Sequence, residues 1–156
     1  MSLNLPETTQ KFDGPQVRQF SVFLPNKVGA MLDVVKLLNL HHVDVLALAI
    51  SESTDSAIAR IVVSDPESVE MLFREKGIPF GVCDMLVIEM SEVAGQLAKL
   101  LVALLKAEVN VHFTYPLLTR PHGFAAIAMH VDDAECASSV LLGDGFKLLS
   151  QTDLSR

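Results

Sequence analysis

Leu24-Pro25-Asn26-Lys27-Val28-Gly29-Ala30-Met31-Leu32 and Met90-Ser91-Glu92-Val93-Ala94-Gly95-Gln96-Leu97-Ala98 are two versions of one segment. In each, a strand-like stretch runs into a turn holding a glycine, and apolar residues at helical spacing follow. Gly29 and Gly95 stand 66 positions apart (95 − 29), and the same offset lays Val43-Asp44-Val45 on Val109-Asn110-Val111. Strand, glycine turn, helix and second strand therefore recur in register, and a repeat fixes the domain count before any fold is chosen. It also sets two similar turns, and so two candidate ligand sites, in one chain of 156 residues.

Outward from the first turn, Gln19 to Leu24 alternates, with Phe20, Val22 and Leu24 on one face, as a strand does. Apolar residues at 31, 34, 35 and 38 form one face of a helix from Gly29 to about His41. Val43 to Ser51 and Ala57 to Val63 read as strands joined by the polar turn Glu52-Ser53-Thr54-Asp55-Ser56. Ser64-Asp65-Pro66-Glu67 carries a capping residue, a first-turn proline and an acid that suits the helix dipole. Lys76-Gly77 stops that helix. A strand is expected between Phe80 and Met90. The second unit repeats the order: strand Leu86 to Met90, helix Gly95 to Glu108 with apolar positions 97, 100, 101, 104 and 105, strand Val109 to Leu117, turn Thr119 to Gly123, strand Phe124 to Val131, helix Asp132 to about Leu142, and strand Phe146 to Leu149. Each unit reads βαββαβ, an antiparallel sheet with two helices on one face, which places the chain in the α+β class. Several strands are apolar on both sides, so the helix-free faces are expected to be buried in an assembly.

Half of the residues are hydrophobic, 20% are charged, and the mean hydropathy is +0.39. No uninterrupted apolar run approaches the ~20 residues of a membrane span, so no membrane partner is expected. The surplus apolar surface points instead to domain or subunit interfaces, and a homodimer is expected. The net charge of −7 repels phosphate backbones and argues against nucleic acid. The βαββαβ order also occurs in RNA-binding domains, but the basic surface and aromatic strand positions those need are missing. Cys83 and Cys136 lie far apart without a CxxC spacing, as expected of free thiols in a reducing cytoplasm. Met1 to Gly14 is polar and lacks a signal-peptide apolar run, so a cytoplasmic location with a loose N-terminal tail over residues 1–15 is expected.

Asn26-Lys27-Val28-Gly29-Ala30, after a strand and before an amphipathic helix, resembles the N-x-x-G-x-L turn of the ACT domain. Asp44, fifteen residues after Gly29, sits where that family commonly has Asn or Asp, and Gly95 and Asn110 keep the same separation. The chain thus looks like a tandem ACT protein, with unit one over 16–82 and unit two over 83–153. It is similar in plan to the regulatory subunits of acetohydroxyacid synthase and to stand-alone amino-acid-binding ACT pairs.

The resemblance implies regulation rather than catalysis: a small amino acid bound at an interface between units, and a metabolic enzyme that reads the change. It implies that the glycine turn offers backbone N–H groups to the ligand carboxylate while a polar side chain takes the ammonium. Helix N-termini favour anions, and glycine allows close approach, in agreement. The first-unit candidates are Asn26, Lys27, Val28, Gly29, Ala30, Met31 and Asp44. The second-unit candidates are Glu92, Gly95, Gln96, Leu97 and Asn110, but Glu92 takes the asparagine position and would oppose a ligand carboxylate. Unit one is therefore expected to bind first. Against these stand plainer roles: turn glycines, an Asn26 helix cap, and Asp44 and Asn110 as loop ends. The alternative is a ligand-free dimerisation or interaction scaffold, or a regulatory subunit of an amino-acid biosynthetic enzyme such as acetohydroxyacid synthase.

No catalytic constellation is visible. There is no G-x-S-x-G turn, P-loop or dinucleotide fingerprint, so no enzyme activity and no cofactor is expected. The histidines at 41, 42, 112, 122 and 130 match no zinc spacing, and no metal is expected. His112 and His130 could be neighbours on paired strands, and Tyr115 is expected in a core or interface.

Overall fold

A computed structural model describes residues 14–25 and 29–155. The elements run β1 (Val17–Pro25), α1 (Ala30–Leu40), β2 (Val45–Glu52), β3 (Ser56–Val63), α2 (Pro66–Lys76), β4 (Phe80–Met90), α3 (Val93–Lys106), β5 (Val111–Pro116), β6 (Ala125–Val131), α4 (Ala134–Gly143), β7 (Leu148–Leu149) and α5 (Gln151–Leu154). The fold is the expected pair of ferredoxin-like βαββαβ units, and α2 shows how locally it is specified. Asp65 accepts from the Ser68 amide at 3.2 Å and caps the helix, Pro66 opens it, and Gly77 at φ 69° ends it.

The strands form one antiparallel sheet ordered β2-β3-β1-β4-β6-β5, with β7 also on β4. The strands expected at the end of unit one and the start of unit two are one continuous strand. Residues Phe80 to Met85 of β4 pair with β1, and Leu86 to Met90 pair with β6. β7 takes the place beside Val87 and Ile88. The 82/83 division expected between units falls within this strand.

The sheet curls until its edges meet. Ala47 of β2 bridges Leu117, and the Leu118 amide donates to the Leu46 carbonyl at 2.7 Å. Three cores result. Phe20, Val34, Leu38, Ile61 and Phe73 pack α1 and α2 on unit one. Ile88, Leu100, Leu104, Met129 and Leu141 pack α3 and α4 on unit two. Val17, Val62, Met85, Val87, Tyr115 and Leu149 fill the space between the inner faces of the sheet. The apolar second faces are therefore buried inside the chain, not in an assembly as expected, because the curl turns one unit's free face onto the other's.

α3 also departs from expectation. It begins at Val93, and its buried residues are Leu100, Ala103 and Leu104. Leu97, Leu101 and Leu105 are 39, 49 and 76% exposed.

Candidate functional site

The register of the first unit builds a cleft beside the first glycine turn. Leu24 near the end of β1 pairs with Ala57 of β3, and Ala57 pairs with Glu52, the last residue of β2. Three strand ends are thereby gathered at the N-terminus of α1. Leu24, Pro25, Ala30, Met31, Ile50, Glu52, Ala57 and Ala59 line a cleft of about 130 Å³. Its wall is aliphatic, and Glu52 supplies the one acidic side chain among those residues.

Gly29 is the residue before α1 and adopts φ 90°, ψ −10°. This left-handed conformation favours glycine, and it turns the chain from β1 into the helix. A glycine carries no side chain to cap α1, so the first-turn amides of Ala30, Met31 and Leu32 receive no side-chain acceptor from it. Those amides and the helix dipole form an electropositive rim on the cleft that Glu52 also lines. A β-carbon on Gly29 would meet nothing within 4 Å among the described residues. Asn26, Lys27 and Val28 lie outside the described residues.

Asp44 does not share this cleft. It precedes β2, whose eight residues separate it from Glu52 by about 25 Å at the usual strand rise. There its amide takes the Ser64 hydroxyl as acceptor at 2.9 Å, and its carbonyl accepts from the Ser64 amide at 3.0 Å. It lines a separate depression of about 240 Å³ with Ser64, Arg120 and Asp153.

The second turn is built differently. α3 starts 63 positions after α1 rather than 66 (93 − 30), so Gly95 lies within the helix as its third residue. Glu92 precedes the helix, and its amide donates to the Gln96 side-chain carbonyl at 2.9 Å. Gln96 thereby engages, from within the chain, the amide of the residue that precedes the helix. Asn110 lies at the other end of α3, about 17 Å of helix beyond Gly95. Its amide and side chain both donate to Asp132, at 3.1 and 2.9 Å. These hydrogen bonds hold the Asp132 carboxyl below its ordinary range. Leu97 is exposed on the outer side of α3.

Glu52, Ile50, Ala57 and Ala59 were not singled out from the sequence. Glu52 read as the first residue of a polar turn, and only the strand register shows that it ends β2 opposite the glycine turn. Among the described residues, no three His, Cys, Asp or Glu side chains are grouped to hold a metal, and no helix is long and apolar enough to cross a membrane.

The family described as an ACT domain pair matches residues 16–156. Among solved structures, protein BT0572 from Bacteroides thetaiotaomicron is 27% identical with a TM-score of 0.82, covering 90% of this chain and 96% of that one. The ligand-free regulatory subunit of aspartate kinase from Thermus thermophilus is 13% identical with a TM-score of 0.57, covering 85% of this chain and 93% of that one. The corresponding subunit from Thermus flavus is 16% identical with a TM-score of 0.52, over 86% and 96%. At those last two identities the likeness is one of fold. No curated protein matches the sequence.

Proposed function

Since this chain belongs to the ACT domain pair family, we propose that it binds a small amino acid in the cleft beside Gly29 and modulates a metabolic enzyme without catalysis of its own. The observation that carries this reading is the pairing of opposite polarities across one small cleft. Ala30 and Met31 begin a helix with a positive N-terminal end, and Glu52 lines the same cleft. A zwitterion has the matching charges: its carboxylate for the helix end and its ammonium for Glu52. The cleft's size and the aliphatic side chains of Leu24, Met31 and Ile50 favour a small apolar side chain. Glu52 is proposed as the ammonium partner in place of Asp44, on distance. Unit two is proposed to complete the fold rather than to bind first, because Gln96 already occupies the Glu92 amide.

We further propose a cytoplasmic homodimer, supported by the apolar outer stripe of α3 at Leu97, Leu101 and Leu105. The regulatory role is consistent with the two fold relatives that are regulatory subunits of aspartate kinase. A ligand-free scaffold is the second reading, favoured by the self-satisfied turn of unit two.

Calorimetric titration with each of the twenty amino acids tests the proposal. One or a few small apolar amino acids should bind, and Glu52→Gln should weaken them about tenfold or more. That is the expected loss for a charge-assisted hydrogen bond of about 1.5–3 kcal/mol. Absence of heat from all twenty at millimolar concentration, with the protein folded, would favour the scaffold.

A further inference from the structure

The inner face of the curled sheet ends in a cluster of nitrogen-bearing side chains, Arg60, His112 and His130, that the amino-acid cleft does not use. Deeper in, the polar groups are paired. Gln19, fully buried, accepts from the Tyr115 hydroxyl at 2.5 Å and donates its amide to Ser21 Oγ at 3.1 Å and Cys83 Sγ at 3.3 Å. One inward position further along β1, Ser21 pairs with Arg60 of β3, and there the pairing fails.

The Arg60 guanidinium lies 4.3 Å from the centre of the Phe113 ring and donates to Ser51 Oγ at 3.2 Å. Its Nε is buried without a hydrogen-bond partner among the described residues. Phe113 stacks with His130, its register partner on β6, at 4.9 Å and 9°. His130 Nδ1 is likewise buried without a partner among the described residues. The His112 ring is 5.2 Å from that of His130. Three nitrogen-rich side chains thus form one ladder across an aromatic ring.

No described carboxylate forms an ion pair with Arg60, although the chain has 19 acidic residues against 12 basic. Asp84 acts on Cys83, and Asp132 lies near His112 but is engaged by Asn110. Burial, then His112 and Arg60, push His130 below the ordinary histidine range. A part-buried guanidinium whose inner Nε has no acceptor among the described residues gains from an anion that supplies one.

We propose that this end of the inner face binds a small oxyanion, a carboxylate or phosphate group, with Arg60 as its anchoring cation and His130 and His112 as further donors. The planar guanidinium fork suits either oxyanion. Ala59 faces the cleft and Arg60 the opposite side of β3, so the two sites are on different faces of one sheet. The inference does not rest on the amino-acid reading.

The test is calorimetry with inorganic phosphate and, separately, acetate, alongside NMR titration of the imidazole signals of His112 and His130. Phosphate, acetate or both should saturate the protein and raise the His130 midpoint by about one pH unit, the linkage of a tenfold affinity change. Phosphate alone would assign a phosphate group, acetate alone a carboxylate. Arg60→Gln should weaken binding at least tenfold and should raise the His130 midpoint even without anion, because a positive neighbour is gone. Arg120→Gln, at the other end of the fold, should bind as the parent does. Should Arg60→Gln fail to fold, His130→Gln carries the test and must weaken binding at least threefold. Imidazole signals indifferent to both anions, or unchanged affinity in the Arg60 or His130 variant, would overturn the proposal.

Discussion

At Gly29 the backbone holds φ 90°, where a side chain costs about 1–2 kcal/mol. Gly95 lies inside α3, where glycine is less favourable than alanine by about 1 kcal/mol. Neither position would crowd a β-carbon. Gly29→Ala should therefore lower stability and Gly95→Ala raise it, each by about 1 kcal/mol, as read from urea-unfolding midpoints. Equal shifts in one direction would contradict this. The two glycines are interchangeable in the sequence because a glycine's backbone angle leaves no mark on its neighbours. Glu52 and Asp44 carry a related lesson. Asp44 precedes β2, Glu52 ends it and both are acids, so local pattern could not say which one lies beside the glycine turn; that depends on pairing with β3 and β1.

At the level of elements, α2 was legible from its ends, because Asp65, Pro66 and Gly77 act within one turn. α3 was not. Apolar residues at 97, 101 and 105 share it with apolar residues at 100, 103 and 104, and periodicity cannot tell which face meets the sheet. The outward stripe carries the proposed dimer. Residues four apart form a ridge, and two such ridges pack about a two-fold axis. An antiparallel arrangement also brings Glu92 toward the partner's opposite helix end, where Lys106 stands in each copy. Leu101→Glu should convert the dimer to monomer in sedimentation analysis, while Leu40→Glu on α1, also exposed, should leave it intact. A dimer that survives Leu101→Glu would place the interface elsewhere.

For the whole molecule, the doubled order of elements was readable because the repeat spans strand, turn and helix together. The curl was not readable, since residues 80–90 look like a strand whether they serve one unit or both. The shared β4 and the core between the inner faces make the units interdependent, so unfolding should show one cooperative transition. Tyr115 reports on that core. Burial, then Cys83, push its hydroxyl well above the ordinary tyrosine value of 10.0, with Arg60 opposing. The folded state thus keeps a proton that the unfolded chain gives up above about pH 10. The stability this brings is fully present below that pH and falls above it by about 1.4 kcal/mol per pH unit. Tyr115→Phe should flatten that alkaline slope, measured by urea unfolding between pH 9 and 11, and lower stability at neutral pH by leaving the Gln19 carbonyl without its donor.

The central claim is that the first glycine turn, and not the second, receives a small amino acid. Amide NMR mapping with the amino acid that gives the strongest calorimetric response tests it most directly. Saturable shifts are expected at Gly29, Ala30, Met31, Ile50 and Glu52, with Gly95 and Gln96 unmoved. Shifts centred on Gly95 and Gln96, or none beside Gly29, would contradict it.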